Sequence, residues 1–432
     1  MARVIGSDSL APSLRIRHRT DADGLHLPRV TESASALLAW ARGDGDPAIL
    51  EQRLAALRQA LLGSPYYVET LGRAGLSPSD LQSPGDLPHF PLLSRATLQA
   101  RANDLPAFDP AGSQAAEQSL IQTSGSSGEP IAVLKDGYDQ LHMWAVLRFW
   151  LGWLGIEPPP RPRVVLACSL PGGIEYSVRL PLLDRGALHR ISLRKETALR
   201  RWRKVTPDIA FTDPAGLHWM ADQERLPLPH LLLSSAQHLS PHERRRFGEA
   251  LAAPIVNYYS LTEVGPLAWE CCREPGRFHV LLPDVWVESV DGEIVVTRLR
   301  PSVLPLLRYR TGDPGAVMHD ACGCGYRGVT ITGFGGRRAC VFVRPDGQAV
   351  DAWQLAWLFK HYPLHRFRLT QQSPDDFLLE LAARGIACDS ADLRARLASA
   401  LGNLGWASPR LRLEVAPGLA SPGDKPEPFR RA

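Results

Sequence analysis

IQTSGSSGEPIAVLK, residues 121–135, packs two glycines and four hydroxyl side chains into six positions before the chain turns apolar again. Gly125 and Gly128 leave the backbone free to turn its N–H groups inward. Thr123, Ser124, Ser126 and Ser127 add side-chain donors, and such an array binds phosphate without a fixed cation. It is not the lysine-bearing nucleotide loop, because Glu129 stands where that loop requires lysine. A Ser/Gly run also has the composition of a flexible linker. The surrounding sequence decides between the two.

Directly after it, DGYDQLHMWAVLRFWLGWLG reads as a strongly apolar helix and RVVLACSL (163–170) as a buried strand. DIAFTD, PHLLLSSAQHL and APIVNYYSLTE then follow, each an apolar run ending in small or polar residues. Short apolar strands alternating with helical stretches predict an α/β sheet whose strand ends present loops to a ligand. A linker has no reason to sit at the head of such a series.

Further out, residues 31–74 carry helical periodicity, punctuated by Gly63 and Pro65. The Pro- and Ser-rich stretch 76–95 predicts turns and then a helix capped by Ser94. Residues 279–318 are dense in β-branched side chains, with an Asp-Gly turn at 291–292, and predict a small antiparallel sheet or barrel. Past GFGGRR (333–338), HRFRLTQ, DFLLELAA and RLRLEVAP alternate like strands, and SADLRARLASALGNL reads as a helix. The glycine-rich stretch predicts a boundary between a large α/β domain over 1–335 and a small α+β domain over 336–432.

Composition narrows the function. The 432 residues are 44% hydrophobic and 22% charged, ample for a packed core. A net charge of +4 from 49 basic and 45 acidic residues, clustered only locally as in HERRRF (242–247), argues against a nucleic-acid partner. No apolar run is long enough to span a bilayer, and MARVIGSDSLAPSLRIRHRT lacks the apolar core of a secretory signal, so the expected setting is the cytoplasm. Seven cysteines then read as thiols or metal ligands. Cys322 and Cys324, with Cys271, Cys272 and His279 upstream, supply enough sulfur and imidazole for a tetrahedral zinc.

NYYSLTEVG (257–265) places Glu263 at a strand end, LLRYRTGDPG (306–315) places Asp313 in a tight turn, and GGRR (335–338) adds a guanidinium. Together with TSGSSGEP, SPYYVETLGRAGLSPSDLQSPGDLPHFPLLSRATL and GEIVVT, these occur in an order that resembles the adenylate-forming superfamily of acyl- and aryl-CoA synthetases. The phenylacetate-CoA ligase-like branch fits best. The resemblance implies a multi-layer adenylation domain with a β-rich subdomain and a C-terminal lid. It also implies ATP-dependent activation of a carboxylic acid as acyl-adenylate, with pyrophosphate released and the acyl group passed to coenzyme A.

By that resemblance Thr123, Ser124, Gly125, Ser126, Ser127 and Gly128 would grip the ATP phosphates. Ser235, Ala236, Gln237, Tyr259 and Thr262 would line the nucleotide, Glu263 would hold Mg²⁺, Asp313 would take the ribose hydroxyls and Arg337 would assist. Lys425 would bridge substrate carboxylate and α-phosphate, so Lys425, Glu263 and Thr123 form the implied catalytic set. Branch members carry a structural zinc at positions matching Cys271, His279, Cys322 and Cys324, with Cys272 the alternative to Cys271. Trp150, Trp153, Tyr176 and Trp219 are candidates for an acyl channel and lean towards an aromatic acid. Ala339 and Cys340 replace an acidic hinge pair, and Gln237 stands where an acid is frequent. Alternatives are transfer to a carrier-protein phosphopantetheine, AMP transfer to a cofactor hydroxyl, and a nucleotide-binding scaffold. A homodimer is a base-rate expectation.

Overall fold

The computed structural model describes residues 26–107, 119–122, 132–169, 175–180, 185–236, 239, 241–334, 340–359, 367–381, 390–416 and 429–432. Three helices open it: α1 (His26–Arg42), α2 (Pro47–Gly63) and α3 (Pro65–Arg73). Asp46 caps α2 by accepting from Ala48 N, Pro47 supplies the preset first-turn φ, and Leu54, Leu57 and Leu61 bury one stripe. Ser94 caps α4 (Arg95–Ala100) through Thr97 N, as its sequence predicts.

Strands β1 (Ser119–Gln122) and β2 (Ala132–Lys135) pair antiparallel, with Gln122 opposite Ala132. These two strands flank the hydroxyl- and glycine-rich stretch of the sequence. Asp136 and Asp139 close a reciprocal cap at the start of α5 (Gly137–Leu154), which packs against α1.

Five parallel strands form the centre of a ten-stranded sheet: β3 (Arg163–Cys168), β5 (Gly186–Ser192), β6 (Ile209–Thr212), β7 (Leu231–Ser234) and β8 (Ile255–Leu261). β4 (Tyr176–Leu180) is an antiparallel edge strand on β5. β9 (Gly265–Glu270) and β10 (Phe278–Val280) extend the other side in antiparallel sense. All four residues of β6 and of β7 are buried, the pattern of parallel strands covered on both faces. Alternate residues go to opposite cores. Ile209, Phe211, Leu231 and Leu233 join α5 and the N-terminal helices, whereas Ala210 and Leu232 join α6 (Ala198–Val205), α7 (Pro214–Ala221) and α8 (Pro241–Ala250).

A second, three-stranded antiparallel sheet follows: β11 (Val285–Val290), β12 (Glu293–Arg298) and β13 (Tyr309–Pro314). Its hairpin turns at Asp291 and Gly292, both at positive φ, as the Asp-Gly signal predicts. β14 (Ala316–Met318) and β15 (Thr330–Thr332) return to the ten-stranded sheet. β16 (Val341–Val343) and β17 (Ala349–Asp351) form a hairpin. Beyond it lie α9 (Ala356–Phe359), β18 (Phe367–Ser373), β19 (Asp376–Leu381), α10 (Ser390–Asn403), β20 (Arg410–Val415) and β21 (Phe429–Arg431), whose strands order as β20-β19-β18-β21. Phe342, Leu369, Phe377, Leu393, Leu397, Trp406 and Phe429 give this region a core of its own. The mixed α/β fold class read from the sequence is the fold observed.

Candidate active site

The site is built where β8 ends. Within β8, the Tyr259 hydroxyl donates to Asp313 Oδ2 at 2.8 Å, and its ring lies against Phe334 with centroids 4.1 Å apart. Four residues further along, Glu263 Oε1 accepts from the Tyr309 hydroxyl at 3.2 Å. Tyr309 and Asp313 both lie on β13, so the two bonds run in antiparallel register and pin one sheet's strand end to the other sheet. Burial and the neighbouring Asp313 raise the Tyr259 hydroxyl well above its ordinary range, which keeps it a donor.

A guanidinium completes the cluster. Arg95 Nη1 approaches Glu263 Oε1 at 2.9 Å, with the Arg95 side chain one-third exposed and Glu263 almost fully buried. Its position follows from local structure: Leu93 bonds to β13 on both sides, donating to Arg308 O and accepting from Arg310 N, which sets the start of α4 beside Tyr309. Arg95 was not singled out in the sequence. It lies in PLLSRATL, where nothing local distinguishes a functional arginine from a helix-start cation.

Beneath the turn, buried charges fix its backbone. Glu263 O accepts from Arg298 Nη1 at 3.1 Å and Lys135 Nζ at 3.4 Å, and Val264 O accepts from Arg300 Nη2 at 2.7 Å. Asp139 pairs with all three cations. Burial works to raise its carboxyl, but Arg300, Arg298 and Lys135 outweigh it and hold the group well below the carboxylate range. Burial depresses Lys135 to about 8. Gly265, at φ +88, lets the chain reverse into β9 past Arg300.

Ser235 follows β7 directly and its N–H donates to Thr212 O at 3.2 Å; Ala236 beyond it takes a positive φ of 75°. Thr262 lies in the turn immediately before Glu263. The candidates Thr123, Ser124, Gly125, Ser126, Ser127, Gly128, Gln237, Arg337 and Lys425 lie outside the described residues, as does hinge position Ala339. Trp150 is fully buried against Tyr258, and Trp219 packs on Trp202 behind α7. Trp153 meets Trp269 and Tyr326 edge-on, and Tyr176 lies on the edge strand β4. Trp150 is thus a core residue, whereas Trp153, Tyr176 and Trp219 are partly buried.

A second cluster gathers Cys271 just past β9, His279 on β10, and Cys322 and Cys324 from the connection between β14 and β15. Cys271, His279, Cys322 and Cys324 offer ligand atoms all within 4.8 Å of one another. Cys271 Sγ to Cys322 Sγ and Cys324 Sγ to His279 Nε2 are both 3.5 Å. Tetrahedral zinc with ~2.3 Å Zn–S and ~2.0 Å Zn–N bonds separates its ligands by roughly 3.5–3.8 Å, so the donor set fits. Cys271 Sγ also accepts from the backbone N–H groups of Arg273 and Glu274, at 3.4 and 3.3 Å. Burial pushes the Cys322 thiol up to about 12, the cost that a divalent cation removes. Cys272, the sequence alternative, is exposed and outside the cluster.

No family model matches the chain. It is 26% identical to phenylacetate-coenzyme A ligase of Pseudomonas putida over 293 residues, covering 61% of this chain and 64% of that protein. The enzyme of the same name from Thermus thermophilus is 26% identical over 291 residues, covering 60% and 63%. The chain thus matches less than two thirds of the length of these two relatives. Among solved structures, 2-hydroxyisobutyryl-CoA ligase in an open conformation with 2-HIB-AMP and CoA superposes with a TM-score of 0.52 at 17% identity, covering 90% of this chain and 91% of that one. The same ligase in its thioesterification state gives 0.54 at 18% identity, covering 89% of each. The fold is that of the adenylate-forming ligases. In that fold the cluster of Tyr259, Glu263, Tyr309 and Asp313 occupies the carboxyl end of the parallel strands, where open α/β sheets bind ligands. Among the described residues, no helix of this ligase fold is long and apolar enough to cross a membrane.

Proposed function

We propose that this protein is an AMP-forming acid–thiol ligase that activates a carboxylic acid, of the aryl class by its likeness to phenylacetate-coenzyme A ligases, and passes it to coenzyme A. The observation that carries this reading is the doubly pinned pair of carboxylates, Glu263 and Asp313, each held by a tyrosine hydroxyl and one of them facing Arg95.

In the first step an oxygen of the substrate carboxylate bonds to the α-phosphorus of ATP and the bond from that phosphorus to the bridging oxygen breaks, releasing pyrophosphate. In the second, the coenzyme A thiol loses its proton, its sulfur bonds to the acyl carbon and AMP departs. Neither step needs a protein nucleophile; both need charge placed where oxygen anions crowd together. Asp313, directed by Tyr259, is positioned to accept from ribose hydroxyls. Glu263 would hold Mg²⁺, which takes one or two carboxylates plus phosphate oxygens and would shield their charge. Arg95 adds a cation at the same carboxylate. Thr123–Gly128 serve as the phosphate loop, Gln237 and Arg337 as nucleotide contacts and Lys425 as the bridging cation of a lid running from residue 336. Cys271, His279, Cys322 and Cys324 hold a structural zinc distant in role from the chemistry.

The test is pyrophosphate release from ATP and Mg²⁺ with a panel of aryl and alkyl acids, with and without coenzyme A. Acid-dependent release, with an acyl thioester formed only when coenzyme A is present, is the expected result. ATP binding with no release for any acid would sink the proposal.

A further inference from the structure

A cleft of about 650 Å³ opens beside the edge strand β4, lined by Arg163, Ser177, His189, Arg200, Arg201 and Lys204 with Val205. It lies at the opposite end of the sheet from Glu263. Arg163 begins β3, and its neighbour Ala187 is the second residue of β5, so the cleft sits at the amino ends of the parallel strands. Six residues of β3 at ~3.3 Å each put it on the order of 20 Å from their carboxyl ends.

Two separate elements bring four cations to this hollow: Arg163 at the start of β3, and Arg200, Arg201 and Lys204 on α6. Two carboxylates answer them: Asp208 binds Arg163 at 2.8 Å, and Glu175 is shared by Arg201 at 2.6 Å and Lys195 at 2.9 Å. Arg200 and Lys204, one turn apart on α6, add like charges that oppose each other. The negative end of the helix dipole offsets Lys204 in the last turn but not Arg200 in the first, where a cation is disfavoured. The platform is rigid, since Trp202 is fully buried on α6 and donates to Pro227 O at 2.8 Å. Neutral polar groups lie alongside: Ser177 Oγ and His189 Nδ1 are 2.8 Å apart. Burial, then Arg201 and Arg163, lower the pKa of His189, so the imidazole senses the positive field of the cleft.

We propose that this cleft is a second anion site, separate from the nucleotide-binding end, and that it takes a small ligand bearing two or more phosphate groups. Convergent cations in a concavity, in excess of their acid partners, have that chemistry. The phosphates belong either to free pyrophosphate or to a nucleotide such as coenzyme A.

The experiment follows the ring resonances of His189 by NMR in the full chain at low salt, titrating pH with inorganic pyrophosphate, coenzyme A or orthophosphate. This readout is local and does not depend on turnover, so it stands or falls apart from the ligase assignment. Saturable binding of pyrophosphate or coenzyme A raises the His189 pKa by about half a unit or more, because anion charge offsets the nearby arginines. Whichever of the two acts at lower concentration identifies the source of the phosphates. The double variant Arg200→Ala, Lys204→Ala, both exposed helix positions, abolishes the shift. Failure of both ligands to move His189, a drift matched by chloride at equal ionic strength, or an unchanged response in the double variant would overturn the proposal.

Discussion

Arg95 Nη1 and Glu263 Oε1 lie 2.9 Å apart although 168 positions separate them in the chain. The carboxylate proposed to hold Mg²⁺ thus already faces a cation, which competes with the metal for the same oxygens.

Replacing Glu263 by glutamine keeps its shape and an acceptor for Tyr309 while removing the charge. Acid-dependent pyrophosphate release is expected to fall by about 10²–10³-fold, the range for loss of one preorganised charge interaction. The thermal midpoint should move little. Steady-state kinetics beside a melting curve check this, and near-normal turnover would remove Glu263 from the site.

Arg95→Ala takes away the competing cation. The Mg²⁺ concentration giving half-maximal activity is then expected to fall by about threefold or more, because the repulsion between guanidinium and metal is gone. A magnesium titration of both proteins reads this directly. A rise instead of a fall would mean that Arg95 holds the carboxylate in place.

Lys135 gives a prediction with a definite sign. In the folded chain it sheds its proton near 8, whereas the unfolded side chain keeps it to about 10.4. Between these values the unfolded state binds more protons, so the lysine's contribution to stability improves as pH rises. Relative to Lys135→Met, the wild type should therefore gain on the order of 2–3 kcal/mol between pH 7.5 and 10.5. Denaturant unfolding of both proteins at several pH values measures the difference, and a flat difference would show that the lysine titrates normally.

The sulfur–imidazole cluster is expected to copurify with one zinc per chain. Chelation, or Cys322→Ala, should lower the melting temperature by more than about 5 °C, since four ligand groups, three of them buried, lose their cation. Cys272→Ala, one residue from the cluster but exposed, should leave both metal content and melting unchanged. Elemental analysis and calorimetry of the two variants separate the outcomes.

Much of the scaffold was legible in the sequence, because its elements announce themselves locally. Ser94 before α4 and Asp291-Gly292 between β-branched runs form the predicted cap and turn, and the apolar run after Asp136 forms the predicted helix. Strands β6, β7 and β8 read as apolar runs with polar ends. The pair β4 and β5 was missed: His189 and Arg190 break the apolar run of β5, and β4 at the sheet edge has an alternating exposed pattern. The ordered motifs led to Tyr259, Glu263 and Asp313. Arg95, Tyr309 and the network of Lys135, Asp139, Arg298 and Arg300 were not legible, because their importance comes from contacts distant in the chain, from 35 residues for Arg298 with Glu263 to 168 for Arg95 with Glu263. The aromatic acyl-channel candidates are hard to read for the complementary reason. A tryptophan in an apolar helix carries no mark of whether it faces a ligand or, like Trp150, the core.

β8 pairs parallel with β7 over Ile255, Val256 and Asn257, then antiparallel with β9 from Tyr258 to Leu261. A strand held by ladders of opposite sense has no free end from which to take up slack. One residue inserted or deleted between Val256 and Tyr259 would turn the tyrosine ring to the other face of the sheet and carry its hydroxyl away from Asp313. Length changes during divergence must therefore accumulate in the connections before Ile255 and after Glu270, while the seven residues of β8 behave as a fixed spacer between two chemistries.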